Sequence, residues 1–242
     1  KTREHQMKRI EGFCFNEPEN QILLWNNAKP VYRRSFYADY YVYNRRHNIL
    51  EPLSENGAQR DVCFSPDGRT MYLTRCTFDS DDPASAEIYT STRSDASWST
   101  PQRLQISKDT LSSYAHPAVS PDGKWLYFVS DMPGGMGGLD IWRVALTEHG
   151  MGGTENLGEP INTAGNEMFP TFRPNGELYF SSDGLPGMGG LDIFKAVCDS
   201  TGQWKVENLK YPMNSNGDDF GMTFEGLHNR GFFSTSRGDA RG

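Results

Sequence analysis

The side chains best suited to chemistry in this sequence are acidic residues that stand close to the start of short apolar runs. Four of these carboxylates are Asp61, Glu167, Asp218 and Asp219. Two or three carboxylates that converge in one cavity can hydrolyse a glycosidic bond. The corresponding places in other runs hold Glu11 and His116, so no clear acid and base pair emerges. The pattern favours a protein that is not an enzyme, with a glycan-active or glycan-binding protein as the alternative.

Motifs for other chemistry are absent from the sequence. It contains neither the Gly-x-Ser-x-Gly elbow of serine hydrolases nor the His-Glu-x-x-His pair of zinc peptidases. Two glycine-rich stretches, PGGMGGLDIW (133–142) and PGMGGLDIF (186–194), lack the residues of a nucleotide-binding loop, and no helix pattern follows them. The stretch DSDD (79–82) begins like a calcium loop, but Ala84 stands where such a loop needs glycine. We predict no catalytic residues, no metal and no cofactor.

Composition narrows the class of protein further. The net charge of -7 gives no support for nucleic-acid binding, which usually requires a basic face. No stretch reaches the roughly 20 apolar residues of a transmembrane helix, so we predict no transmembrane segment. The first residues, KTREHQMKRI, lack the apolar core of a signal peptide, and we expect a fragment of a longer multidomain protein. The 25 Gly, 14 Pro and 12% aromatic residues favour a turn-rich β protein.

The glycine-rich stretches belong to a longer internal repeat. Three segments, DVCFSPDGRTMYLTR (61–75), HPAVSPDGKWLYFVS (116–130) and FPTFRPNGELYFSS (169–182), each read as two apolar strands around an Asp-Gly or Asn-Gly turn. Weaker copies occupy 12–25 and 220–236. The strand-end residues Phe15, Phe64, Val119, Phe172 and Phe224 are 49, 55, 53 and 52 positions apart. Five copies of a unit of this length predict a β-propeller.

Each unit continues with a loop and an acidic-apolar-aromatic third strand that begins at Asp39, Glu87, Asp140 or Asp192. Stretches such as 155–163 and 206–214 are predicted fourth strands. The fifth unit ends after two strands. We predict an all-β, five-bladed β-propeller of four-stranded antiparallel blades, with the fifth blade incomplete, as one domain over 1–242. The predicted blades are approximately 8–56, 57–107, 112–164, 165–215 and 216–242.

The predicted blade geometry assigns roles to the loops. The glycine-rich stretches join second to third strands, so they lie at the top of the blades, where Asp140 and Asp192 are predicted to be structural. The segments that lead into successive first strands lie at the same end, and loops on a rigid scaffold commonly carry function. We therefore predict a protein-binding rim with the following residues: Arg60, Tyr114, His116, Asn166, Glu167, Asp218 and Asp219.

The repeat resembles PD40 repeats, the WD40-like repeats of TolB and of OmpA-family proteins of Bacteroidota. The residues that carry this resemblance are SPDGKWLYFVSDMPGGMGGLDIW, EPINTAGNEMFPTFRPNGELYFSSDG and DDFGMTFEGLHNRGFFSTSR. The resemblance covers residues 58–242 well, whereas residues 1–57 depart from it. Within this group the chain is most similar to the PorE family of the type IX secretion system.

The resemblance implies a periplasmic protein associated with the outer membrane. It also implies that the partners are other proteins of a cell-envelope secretion system, and that peptidoglycan is bound only through a domain outside this chain. It supplies no catalytic residues.

Overall fold

A computed structural model describes residues 9–15, 21–32, 35–46, 48–52, 59–76, 86–94, 97–226 and 228–238. All regular secondary structure in these ranges is β-strand. The chain forms two compact units, residues 1–105 and 106–242. The prediction of one domain stays a prediction, and each unit is described by itself.

The first unit contains two groups of four strands. The first group is β1 (Gly12–Phe15), β2 (Gln21–Tyr32), β3 (Ser35–Asn44) and β4 (Ile49–Pro52). The second group is β5 (Gln59–Phe64), β6 (Thr70–Cys76), β7 (Ala86–Thr92) and β8 (Gln102–Arg103). Neighbouring strands within each group pair antiparallel. A single pair, Ala38 with Gln59, joins the two groups into one sheet.

The second unit contains two complete four-stranded blades and one hairpin. The third blade is β9 (Tyr114–Val119), β10 (Trp125–Ser130), β11 (Asp140–Thr147) and β12 (Gly150–Asn156). The fourth is β13 (Glu167–Phe172), β14 (Leu178–Ser182), β15 (Asp192–Cys198) and β16 (Trp204–Asn208). The fifth is β17 (Asp219–Phe224) and β18 (Gly231–Thr235). The predicted fold class, all-β propeller blades with an incomplete fifth blade, is confirmed.

The Pro-Asp-Gly turns form for the reason that the sequence suggests. In the third blade Gly123 adopts a φ of 71°, which a side chain would disfavour. The Asp122 carboxylate accepts hydrogen bonds from the Ser120 hydroxyl at 2.6 Å and from the Lys124 N–H at 3.1 Å. The second blade repeats this arrangement between Ser65 and Asp67. A local carboxylate and a glycine therefore set the register of each hairpin.

The core of the second unit lies between neighbouring blades. Tyr127 and Val129 of β10 pack in one buried cluster with Leu178 and Phe180 of β14. The intervening residue Tyr179 points to the other side of its sheet, where it belongs to a cluster with Met222. This period-two alternation covers both faces of an inner strand, which explains why β10 and β14 read as continuous apolar runs.

The predicted fourth strands were placed too late in the chain. Residues 155–163 were predicted to be a strand, but β12 ends at Asn156 and only its last two residues overlap that range. Beyond it, the Leu157 N–H still donates to the Ile141 carbonyl, and turns follow. The prediction failed because Gly158 adopts a φ of 61° and Pro160 lacks an N–H, so neither suits a continuing ladder.

Candidate binding face

The top face of the second unit follows from strand order alone. In blades with consecutive antiparallel strands, the first and third strands begin at the end where the second and fourth strands finish. The glycine-rich loops 133–139 and 186–191 lie at this end. The segments 106–113, 157–166 and 209–218, here called lead-in segments, precede β9, β13 and β17 at the same end. We call these loops and segments together the top face.

The loops are held by the aspartates that open the third strands. Asp192 is buried, and its Oδ2 accepts the N–H groups of Met188 at 2.5 Å and of Gly189 at 3.0 Å. Asp140 is equally buried and accepts the N–H of Met136. Each carboxylate thus replaces backbone partners that the loop cannot provide for itself. The structural role of Asp140 and Asp192 stays a prediction.

The glycines of these loops allow two backbones to touch. A Cβ added at Gly137 would lie 2.5 Å from the Thr163 carbonyl oxygen. A Cβ added at the equivalent Gly189 would collide with the carbonyl oxygen of Gly217. The loop of one blade therefore packs directly on the lead-in segment of the next blade. Only residues without a side chain fit at these two points.

Asn166 and Asp218 join the same contact between blades. The Leu139 N–H donates to Asn166 Oδ1 at 3.1 Å, and the Leu191 N–H donates to Asp218 Oδ1 at 3.0 Å. Asn166 also donates through its backbone N–H to Asp183 Oδ1 at 2.7 Å. Both residues are half-buried. The structure brings these two predicted rim residues to the top face, where each accepts a backbone N–H from the glycine-rich loop of the preceding blade.

Glu167 and Asp219 occupy equivalent positions and are completely buried. Glu167 accepts hydrogen bonds from the Ser182 hydroxyl at 2.6 Å, the Thr163 hydroxyl at 2.7 Å and the Thr163 N–H at 2.9 Å. Burial raises the pKa of Glu167 and outweighs these hydrogen bonds, which lower it. Neither carboxylate lies on the accessible surface, so the predicted direct contact of these two side chains with a partner does not fit this structure.

Asp219 differs from Glu167 in having a cation beside it. Arg237 donates to Asp219 Oδ1 at 2.8 Å and to the Met213 carbonyl at 2.8 Å. Burial alone would raise the pKa of Asp219, but hydrogen bonds from Thr235, Arg237 and Ser215 outweigh it and the pKa is lowered. The matching place in the fourth blade is Gly184, where a Cβ would collide with the Thr163 hydroxyl. Asp219 is therefore ion-paired, whereas Glu167 is held by hydroxyl and backbone donors.

Of the remaining predicted rim residues, two are buried, and the side chain of the third lies outside the described residues. Tyr114 is buried, and its hydroxyl donates to the Asp109 carbonyl at 3.0 Å. His116 is also buried; its ring stacks on Phe169 with centroids 4.1 Å apart, and its Nδ1 accepts the Phe169 N–H at 3.3 Å. The backbone of Arg60 belongs to β5, but its side chain lies outside the described residues.

A repeated backbone feature places His116 and Phe169 in contact. Their φ angles are 49° and 57°, and Gly221 at the equivalent position has 67°. Each of the first strands β9, β13 and β17 has a register shift at this point, which identifies a β-bulge. Asp61 of β5 shares the positive φ, at 51°. No residue type marks the position in the sequence, so sequence reasoning missed it.

Sequence reasoning also missed the side chains that the top face does expose. Four large apolar side chains stand out on its loops and lead-in segments: Leu111, Met136, Met188 and Tyr211. Met136 and Met188 occupy equivalent positions in neighbouring blades and are 41% and 51% exposed. Their N–H groups are the ones that Asp140 and Asp192 hold. The methionine at the centre of each GMGG repeat was the available signal, because a loop glycine run needs no apolar side chain for its own folding.

Exposed charges also lie at this end of the second unit. Glu159, Lys108 and Lys210 are exposed on the lead-in segments, and Asp131 and Asp183 are exposed directly after β10 and β14. Within the described ranges, no three His, Cys, Asp or Glu side chains come close enough together to hold a metal ion. No helix in that part of the chain is suited to cross a membrane.

Comparison with known proteins gives a partial family match. A family model for the N-terminal region of dipeptidyl peptidase IV matches residues 17–76. A search of curated proteins found no match.

Solved structures match over most of the chain. The protein described as TolB from Agrobacterium tumefaciens is 20% identical, with a TM-score of 0.54, over 81% of this chain and 63% of that one. TolB from Acinetobacter baumannii is 18% identical, with a TM-score of 0.53, over 94% and 51%. Dipeptidyl peptidase 4 from Porphyromonas gingivalis is 17% identical, with a TM-score of 0.56, over 97% and 37%. The chain thus spans less than two thirds of each of these structures, and the likenesses show that it has the β-propeller fold of TolB-type proteins.

Proposed function

We propose that this chain is a non-catalytic protein-interaction scaffold, and that it binds its partner through the top face of the second unit. The observation that carries the proposal is the pair Met136 and Met188. Both side chains are exposed. The backbone of each loop is nevertheless held in place by a buried carboxylate and by the next lead-in segment. When a partner covers an apolar side chain on a rigid loop, the backbone of the loop needs no further ordering, so such a loop suits recognition.

The composition of the face supports a protein partner. Methionine is flexible and polarisable, and it packs well against irregular apolar surfaces. Tyr211 adds an aromatic side chain that is 75% exposed, of the kind enriched in protein interfaces. Several exposed apolar side chains at one end of a domain favour an interaction site there.

The charge of the top face indicates which charge the partner should carry. This end of the unit exposes three carboxylates, Asp131, Glu159 and Asp183, and only the two lysines named above. The whole chain carries a net charge of -7. We therefore expect a partner that presents apolar side chains flanked by Lys or Arg. Binding should weaken as salt rises, because exposed charges are screened.

The cellular setting is part of the same proposal. We propose a periplasmic location with association to the outer membrane, in a cell-envelope machine of the type IX secretion kind. The resemblance of the GMGGLDI and INT-x-x-NE motifs to PD40 repeats of the PorE family supports this setting. The TolB-type fold is compatible with it. Peptidoglycan would be bound only through a domain outside this chain.

The proposal is tested by quantitative capture from envelope extracts, followed by reconstitution with the purified partner. The test variant carries Met136→Lys and Met188→Lys. The matched control is Val197→Lys, because Val197 is 43% exposed but lies near the end of β15, away from the top face. We expect the double variant to weaken binding of the reconstituted partner at least tenfold, whereas the control binds as the unchanged chain does.

Circular dichroism and thermal unfolding must show that the three proteins fold alike. Equal affinity of the double variant and the unchanged chain for every reconstituted partner would refute the proposed face. Turnover of a glycan or peptide by the purified chain would refute the non-catalytic role, whatever the binding result.

A further inference from the structure

The two exposed methionines of the top face are open to small oxidants in solution. Met136 is 41% exposed and Met188 is 51% exposed. Each stands between two glycines in a GMGG stretch, so no side chain next to it in the chain can cover its thioether. A methionine thioether reacts with two-electron oxidants to give a sulfoxide, which is polar and which dedicated reductases can convert back.

The other methionines of the second unit are better protected. Met132 and Met222 are each 6% exposed. The Met132 sulfur accepts a hydrogen bond from the Tyr114 hydroxyl at 4.0 Å, and Met222 packs in a buried cluster with Tyr179. Oxidation of Met222 would bury a polar oxygen among apolar side chains, whereas the exposed pair would keep that oxygen in water. Three further methionines are partly buried: Met151, Met168 and Met213.

The fold of the two glycine-rich loops does not depend on the methionine side chains. Asp140 and Asp192 hold the loops through the backbone N–H groups of the two methionines. Gly137 and Gly189 pack on the next lead-in segments. Neither methionine belongs to the two buried clusters of the second unit described above. A sulfoxide at either position therefore changes the chemistry of the surface and leaves the loop backbone in place.

We propose that Met136 and Met188 form a paired, reversible oxidation site whose oxidant is a peroxide. The sulfur lone pair attacks one oxygen of hydrogen peroxide, so that an S–O bond forms and the O–O bond breaks. The second oxygen leaves with both protons as water; the sulfur loses two electrons and the peroxide gains them. In the reverse step a sulfoxide reductase converts two thiols to a disulfide, and the sulfoxide oxygen leaves as water. Oxidation makes the top face polar and releases a partner held by apolar contacts, a consequence that rests on the proposed function.

The first experiment treats the purified chain with limiting hydrogen peroxide and follows each methionine by peptide mass spectrometry. Met132 is an internal control, because it lies in the same tryptic peptide as Met136, residues 125–143. We expect Met136 and Met188 to be oxidised at least tenfold faster than Met132 and Met222. The unfolding midpoint of the doubly oxidised chain should stay unchanged. A mixture of the two stereospecific methionine sulfoxide reductases should restore both thioethers, since each enzyme reduces one sulfoxide epimer.

The second experiment compares the unchanged chain with a variant that carries Met136→Leu and Met188→Leu. This variant keeps apolar side chains of similar volume but has no sulfur to oxidise at the two positions. Each protein is treated with peroxide, the peroxide is removed, and the partner purified in the capture experiment above is added. We expect oxidation to weaken binding to the unchanged chain at least tenfold and reductase treatment to restore it. The leucine variant should bind equally before and after peroxide.

Oxidation of Met136 and Met188 no faster than that of Met132, or unfolding of the chain on their oxidation, would overturn the oxidation site. Equal binding by the oxidised and the unchanged chain would overturn its effect on recognition, provided that the variant with Met136→Lys and Met188→Lys does bind more weakly. If neither the lysine changes nor the sulfoxides weaken binding, the proposed binding face is wrong instead. The oxidation rates alone then decide whether the oxidation site exists.

Discussion

Replacement of Asp192 by alanine tests how the glycine-rich loops are held. The side chain is 1% exposed, and its Oδ2 accepts two backbone N–H groups, from Met188 and Gly189. Its other oxygen, Oδ1, is buried without a hydrogen-bond partner in the described part of the chain. The change to alanine leaves both N–H groups without their acceptor.

The magnitude follows from these contacts. A donor left without its partner costs about 1–3 kcal/mol when it stays buried. Because residues 187–190 are exposed, water can reach the freed groups, and loss of the unpartnered Oδ1 removes an unfavourable term. We therefore expect a total loss of about 1–3 kcal/mol rather than that amount for each bond. For a chain of this length, this lowers Tm by roughly 2–12 °C.

The assay is thermal and urea unfolding of Asp192→Ala, with Asp140→Ala as the equivalent change in the third blade. Glu207→Ala is the control, because its partner Lys195 lies 3.3 Å away in an exposed ion pair, and such changes cost less than about 0.5 kcal/mol. Hydrogen exchange should quicken at Met188 in the first variant only. If both aspartate variants keep full stability but lose partner binding, the structural role is wrong and these carboxylates act in recognition.

Three further changes test the buried carboxylates and the glycine packing of the top face by urea unfolding. Arg237→Met should cost about 2–3 kcal/mol, since it leaves Asp219 buried without its cation. The variant should also lose less stability than the unchanged chain as pH falls through the lowered pKa of Asp219. An unchanged dependence of stability on acidic pH would contradict this. Gly189→Ala should cost about 1–3 kcal/mol because its Cβ meets the Gly217 backbone, whereas Gly153→Ala, with open space around it, should be nearly neutral; equal effects would refute close packing. Because burial raises the pKa of Glu167, stability should fall as pH rises from about 4.5 through that pKa, and Glu167→Gln should flatten this slope; an unaltered slope would assign it elsewhere.

The sequence by itself was sufficient for the strands and turns. Asp122 and Gly123 specify a tight turn through local hydrogen bonds and a positive φ, so the hairpin could be located without knowing what surrounds it. The spacing of Phe172 and Phe224 indicates a repeat because neighbouring blades of the second unit pack on each other in the same way. Asp192 could be assigned to a strand start for the same local reason. The end of the fourth strand was predicted too late in the chain, although Gly158 and Pro160 do not suit a continuing ladder.

Only the tertiary structure decided which polar side chains face solvent. Glu167 and Asp219 were predicted to be rim carboxylates, but Ser182 at the end of β14 binds Glu167 and Arg237, which follows β18, binds Asp219, and both carboxylates are buried. The positive φ at His116 and Phe169 was equally hidden, because a bulge is set by the register of two strands rather than by the type of one residue. Exposure of Met136 depends on which backbone the neighbouring glycine contacts in the next blade. Burial and register are properties of pairs of distant segments, and a linear pattern records only the segments themselves.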